Sequence, residues 1–94
     1  TDVKVICKNL AENSERNEKI INQIQKAIDL EQSTIVFACT VDHVIALMAL
    51  CRSRNINADF IIGEVPQFKR VKILERFRNK DLKVIINHEM LLFA

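Results

Sequence analysis

The order of apolar and polar positions along the chain predicts three strands that are buried in a sheet. Residues 34–39 are β-branched and apolar without alternation, which is typical of a strand covered on both faces of a parallel sheet. Residues 58–62 and 83–87 are two further short apolar segments, and the first of them is closed by Gly63 and Pro66. We therefore predict strands at these three places.

Apolar side chains at helical spacing predict three helices between and before these strands. Asn13 or Ser14 is a candidate N-cap for a helix whose apolar positions run from Ile20 to Leu30. Thr40 is a candidate N-cap for a second helix, which should end near residues 52–55. Residues 68–78 predict a third helix with one apolar face.

Residues 1–12 fit two patterns. The spacing of Val3, Ile6, Cys7 and Leu10 suits a helix, whereas the alternation of Val3, Val5 and Cys7 would suit a strand. We expect a helix. A single domain of residues 1–94 then consists of N-terminal helices in residues 1–31 and a βαβαβ core in residues 32–94.

Strands that are joined through helices run parallel, with right-handed crossovers. The expected fold class is therefore α/β, a three-layer α/β/α domain with a parallel sheet. In such folds, function concentrates at the carboxyl ends of the strands. This rule points to Cys39 and Thr40, to Gly63 and Glu64, and to Asn87 and His88.

Composition limits the class of protein. At 94 residues, 49% hydrophobic and 28% charged, the chain is typical of one soluble globular domain, and no apolar run is long enough to cross a membrane. Its single glycine, Gly63, excludes a Walker A loop or a dinucleotide-binding fingerprint. The three cysteines form no CxxC pair, so we expect reduced thiols, a cytoplasmic location and no metal site.

Positive charge is concentrated in one segment. Residues 67–83 hold 7 basic and 2 acidic side chains, a net +5, although the whole chain carries only +2. These cations could contact nucleic-acid phosphates. They could equally be the solvated outer face of an amphipathic helix, since the segment lacks the exposed aromatic side chains of a base-stacking surface.

Two side chains near the first strand end are candidates for chemistry. Cys39 precedes a helix, whose dipole would lower a thiol pKa and make it a nucleophile, although a small buried residue is the commoner role of a free cysteine. His43, one turn into that helix, could orient an anion or could pack against a neighbour. No Ser/His/Asp order and no HExxH motif is present, so no catalytic residue is assigned.

Four segments together resemble a known family. Residues 35–43, Gly63, residues 70–78 and residues 82–87 resemble the C-terminal helicase domain of superfamily-two helicases. The likeness covers residues 14–90 and is greatest to the DEAD/DEAH-like branch that includes restriction-enzyme and DNA-repair translocase subunits. Residues 37–43 resemble motif IV, and Asn87 would begin motif V, but residues 90–94 lack the threonine and Gly-x-Asp that should follow.

The resemblance implies a fragment of a larger motor, namely part of its second RecA-like lobe. It implies nucleic-acid backbone contacts from Thr40, His43, Gly63, Arg70 and Asn87, with DNA favoured over RNA. ATP and magnesium would bind between this lobe and the first RecA-like lobe of the full-length chain. We expect no cofactor on this piece alone and no ATP turnover by it.

Two other functions are alternatives to the hypothesis of a helicase fragment. They are a free-standing α/β thiol enzyme that uses Cys39, and an adaptor that binds another protein. We also expect the chain to form a homodimer, since a three-stranded parallel sheet leaves edges that favour pairing.

Overall fold

The computed structural model describes residues 3–7, 14–38 and 40–88, in which strands and helices alternate. The elements are β1 Val3–Cys7, α1 Ser14–Asp29, β2 Ser33–Ala38, α2 Val41–Ser53, β3 Ala58–Ile61, α3 Gln67–Arg78 and β4 Val84–His88. The strands form one sheet in the order β1-β2-β4-β3, and every neighbouring pair is parallel. The predicted α/β class with a parallel sheet is confirmed.

The prediction of a helix in residues 1–12 is wrong for residues 3–7, because these residues form the strand β1. This strand pairs with β2, with Val3 opposite Ser33 and Cys7 opposite Phe37. Three of its five residues are β-branched, and pairing with β2 satisfies the backbone better than a short isolated helix would. The sheet therefore has four strands instead of three, and residues 1–31 contain a strand as well as a helix. The expectation for residues 8–12 lies outside the described residues.

Helices cover both faces of the sheet. On one face, α1 and α2 pack on the sheet residues Val36, Ala38, Val84 and Ile86. On the other face, Ile73 of α3 packs with Ile61 and Ile85. The chain crosses the sheet in one direction from β1 to β3 and returns from β3 to β4, so a constant crossover hand places α3 on the opposite face from α1 and α2. The three layers agree with the prediction.

The continuous apolar pattern of β4 follows from this two-sided cover. Val84, Ile85 and Ile86 are all 0% exposed, although successive side chains of a strand point to opposite faces. A strand with one face in water would alternate polar and apolar residues instead. The absence of alternation in the sequence was therefore a correct signal of a buried parallel strand.

The three helices end in the same way without using glycine. Glu31, Asn55 and Lys80, which follow α1, α2 and α3, have positive φ angles of 60°, 57° and 66°. Around Lys80, the Lys80 N–H donates to the Phe77 carbonyl at 3.2 Å and the Asp81 N–H donates to the Arg76 carbonyl at 2.9 Å. Equivalent pairs of hydrogen bonds close α1 and α2, so each helix ends in a Schellman motif with a non-glycine residue in the left-handed position.

Candidate functional site

Parallel pairing brings the carboxyl ends of three strands to one edge of the sheet. Asn87 of β4 lies in register with Phe37 of β2 and with Ile61 of β3. Thr40 and Gly63 follow those neighbouring strands by a few residues, so they flank the end of β4 on its two sides. We call the surface formed by Thr40, Gly63 and Arg70 beside the end of β4 the strand-end rim. Sequence reasoning placed Thr40, Gly63 and Asn87 at strand ends, and the structure brings them together.

Thr40 is the N-cap of α2, as predicted. Its backbone is extended, with φ −133° and ψ 158°, and its Oγ1 accepts a hydrogen bond of 3.0 Å from the His43 N–H. The cap satisfies one of the amides that a helix start leaves without an intrahelical partner. Thr40 is also exposed at the rim, and a hydroxyl group can donate a hydrogen bond while it accepts another. Its capping role is therefore chemically compatible with a contact to a phosphate.

Gly63 lies in the loop between β3 and α3, and the fold itself does not require a glycine there. Its φ is not positive, and a Cβ atom built on it would have no atom within 4 Å. The residue is exposed. An alanine would therefore fit here, and the backbone at Gly63 is open to solvent.

Arg70 holds the loop that contains Gly63. Its Nε donates to the Val65 carbonyl at 3.1 Å, and its terminal nitrogen lies 3.4 Å from the carbonyl oxygens of Ile62 and Gly63. A planar guanidinium group that binds several carbonyl groups fixes the shape of the turn. In this conformation Arg70 therefore acts on the rim by positioning the loop, and the direct nucleic-acid contact expected of it stays a prediction.

Asn87 and His43 are buried, unlike Thr40 and Gly63. Asn87 is 0% exposed within β4, and His43 is 2% exposed on the inner face of α2. The His43 Nε2 lies 2.9 Å from the Oδ1 of Asn17, which joins α2 to α1. This geometry favours the packing role that the sequence left open for His43. A nucleic-acid contact through either side chain stays a prediction, because neither reaches the surface in this conformation.

Sequence reasoning missed Asn17, the hydrogen-bond partner of His43. Asn17 lies 26 residues before His43, and it is 7% exposed on α1. The available signal was a polar residue three positions before Ile20, on the face of α1 that carries the apolar positions. Such a residue needs a buried partner, but the sequence does not show which one.

The described part of the chain offers little evidence for a nucleophilic cysteine or for a metal site. Cys39, the candidate nucleophile, lies outside the described residues. Cys51 is a free, buried cysteine, and burial raises its pKa from 9.0 to about 11, which disfavours the reactive thiolate. Among the side chains of residues 17–38 and 40–88, no group of three His, Cys, Asp or Glu is placed to hold a metal ion.

The charges near the rim are mixed. Lys69 lies on the first turns of α3, but Glu64 in the preceding loop and Asp42 in the first turn of α2 are exposed carboxylates. Of the basic segment 67–83, Arg70 is engaged by loop carbonyls, and Arg76 pairs with Asp59 at 3.2 Å. The electrostatic attraction of this rim for a polyanion should therefore be modest.

A parallel sheet layered between helices, with exposed loops at the carboxyl ends of its strands, defines an open α/β domain, a class that places its ligands at that edge. The model of the helicase conserved C-terminal domain family matches residues 3–91, so this chain belongs to that family. Its fold is that of a partial RecA-like domain.

The chain is also similar in sequence to a helicase from yeast. The chain is 30% identical over 56 residues to the protein named Putative ATP-dependent helicase IRC3 of Saccharomyces cerevisiae. That alignment covers 60% of this chain and 8% of the relative, so the chain spans less than a tenth of that protein's length. The likeness therefore concerns one segment of a much larger helicase.

Among the described residues, no helix has the length and apolar character needed to cross a membrane.

Proposed function

We propose that this chain is part of the second motor lobe of an ATP-dependent nucleic-acid helicase or translocase of the DEAD/DEAH-like branch. Its role there is to contact the nucleic-acid backbone through the strand-end rim. The observation that carries the proposal is the position of Thr40 and Gly63 on either side of β4, at the edge where parallel α/β sheets place their ligands. Membership of the helicase C-terminal family supports it.

The chemistry of the rim suits a backbone and not a base. The Thr40 hydroxyl and the amides at the start of α2 can donate to phosphate oxygens, and the exposed Gly63 backbone admits a close sugar-phosphate approach. Arg70 holds the Gly63 loop in one conformation, so that the loop needs no rearrangement on binding. Contacts of this kind fix position without reading sequence, which suits a motor that moves along its substrate.

ATP and magnesium belong to this proposal only in the full-length enzyme. A chain with one glycine cannot build a phosphate loop of the Walker A type. We therefore propose that the first RecA-like lobe supplies the phosphate-binding loop and that this lobe supplies the opposite wall. The chain alone is expected to hydrolyse no ATP.

The remaining assignments rest on the sequence. DNA is proposed over RNA because the resemblance is greatest to restriction-enzyme and DNA-repair subunits. A cytoplasmic location is proposed because the cysteines form no disulfide pattern. Self-association into a homodimer is proposed through an edge of the sheet that the described strands form, in particular β1.

Substitution of Gly63 tests the proposal. Gly63→Val should leave the thermal unfolding midpoint nearly unchanged, because a Cβ atom there would meet no protein atom within 4 Å and the position is exposed. It should weaken the binding of a fluorescent single-stranded DNA by about tenfold, since the added methyl groups would block the approach of the backbone. Fluorescence anisotropy at several salt concentrations measures this, with an RNA of the same sequence as the comparison.

Gln23→Val on the exposed face of α1 is the matched control, and it should bind like the unchanged chain. Wild-type affinity that is weak and decreases as salt is added supports the proposal. Binding that is absent at low salt, or a Gly63→Val variant that binds as well as the control, would contradict it. So would release of phosphate from ATP by the purified chain.

A further inference from the structure

Among the strands that the structure describes, β3 is an edge of the sheet, and half of its backbone groups point away from its neighbour. The carbonyl of Asn57, just before β3, accepts hydrogen bonds of 3.2 Å from the amides of Lys83 and Val84, so Asn57 faces β4. Backbone groups of successive residues in a strand point to alternate sides. Ala58 and Phe60 therefore direct their N–H and C=O groups outward, where an added strand would pair with them.

Burial of the apolar surface beside this edge would stabilise such strand pairing. A groove of about 330 Å³ lies between α2 and β3, and its lining includes Val41, Ile45, Met48, Phe60 and Ile62. Ile45 is 61% exposed and Val41 is 38% exposed, although both are large apolar residues. A strand added to β3 would cover part of this groove, which adds hydrophobic gain to the backbone hydrogen bonds.

One carboxylate occupies the position that such a strand would use. The Oδ1 of Asp59 accepts a hydrogen bond of 2.8 Å from the outward N–H of Phe60. The Oδ2 of the same group accepts from the Arg76 guanidinium at 3.2 Å, which ties the carboxylate to α3. One of the two outward amides of this four-residue strand is thus bonded to a side chain of the strand itself, and α3 holds that side chain in place.

We propose that Asp59 and Arg76 form a latch that closes the β3 edge against strand addition by a second copy of this chain. The latch removes the Phe60 amide from pairing and places charge where an incoming strand would have to lie. A new strand would have to break both hydrogen bonds of Asp59 and remove a charged pair from water. This inference is independent of nucleic-acid binding, and it assigns a protective role to two residues that the motor proposal does not use.

Asp59→Ala tests the latch through the Phe60 amide. In dilute solution, hydrogen exchange at Phe60 should become about tenfold faster than in the unchanged chain, because the amide loses its partner. As the protein concentration rises, the Phe60 amide of the variant should become protected again, and sedimentation velocity should show dimers at concentrations where the unchanged chain shows fewer. Circular dichroism verifies that the variant is folded.

Two further variants separate the causes. Asp59→Asn keeps an oxygen that can accept from Phe60 but loses the ion pair, so it should lie between the unchanged chain and Asp59→Ala. Glu75→Ala removes an exposed carboxylate from α3 beside Arg76 and should behave like the unchanged chain. The proposal is overturned if Asp59→Ala stays folded while its Phe60 exchange does not depend on protein concentration, or if Glu75→Ala self-associates as strongly as Asp59→Ala.

Discussion

At single positions, burial separates the side chains that can meet a ligand from those that hold the fold. Thr40 and Gly63 are exposed at the rim, whereas His43 and Asn87 are 2% and 0% exposed. All four stand near strand ends in the sequence, where a polar residue can serve either purpose. Only the packing of α1 against α2, with Asn17 beside His43, reveals that the imidazole joins two helices.

Cys51 provides a prediction about pH. Burial raises the pKa of its thiol from 9.0 to about 11, so the folded chain keeps a proton that the unfolded chain releases in this range. Stability contributed by the neutral thiol is therefore complete below pH 9 and is lost as the pH rises toward 11. The expected loss is about 2 kcal/mol in the free energy of unfolding.

Urea unfolding measured at intervals between pH 8 and pH 11 would show this loss. Cys51→Ala is the reference, because it removes the thiol while every other titrating group stays. The unchanged chain should lose more stability than the variant over the interval. Equal pH profiles for the two proteins would mean that the buried thiol does not couple to folding.

At the scale of elements, the helix ends explain how a chain with one glycine makes three compact turns. Each helix ends with a left-handed residue two positions after its last helical residue, and these residues are Glu31, Asn55 and Lys80. For an L-residue with a Cβ atom, this left-handed conformation is about 1–2 kcal/mol higher in free energy than the right-handed one. Asparagine tolerates it best, so the strain should be greater at Glu31 and Lys80 than at Asn55.

Lys80→Gly should therefore stabilise the chain. The φ of 66° at Lys80 suits glycine, and relief of strain should exceed the extra entropy that glycine has in the unfolded chain, for a net gain of about 0.5–1 kcal/mol. Arg78→Gly, two residues earlier in the last turn of α3, should instead cost about 1 kcal/mol. Chemical denaturation of both variants tests the opposite signs, and a loss of stability in Lys80→Gly would refute the account of the helix ends.

At the scale of the whole molecule, helices cover both faces of the sheet, so adjacent residues of β4 should contribute about equally to stability. Ile85 faces the α3 layer and Ile86 faces the α1 and α2 layer, and both are 0% exposed. Ile85→Ala and Ile86→Ala should each lower the free energy of unfolding by about 2–5 kcal/mol. Ile45→Ala, on an exposed site of α2, should cost much less.

Thermal or urea unfolding of these three variants measures how far each layer contributes. A sheet with one face in water would make one of the two β4 substitutions nearly neutral. A small effect of Ile85→Ala beside a large effect of Ile86→Ala would therefore contradict the three-layer arrangement on the α3 side.

Much of the fold could be read from the sequence because its signals are local. The buried strands, the N-cap at Thr40 and the end of α2 each depend on neighbouring residues, and the structure confirms them. The first strand could not be read in this way. Its five residues fit helical and extended patterns alike, and its pairing with β2 decided between them.

The sequence by itself determined the class of fold, the family resemblance and the strand ends at which function should be sought. Apolar periodicity and turn residues act within a few positions along the chain, so they can be recognised without coordinates. Tertiary structure alone decided the strand order, the fourth strand, the burial of His43 and Asn87, and the placement of Asp59 beside Arg76. These features depend on contacts between residues far apart in the chain, which local patterns do not encode.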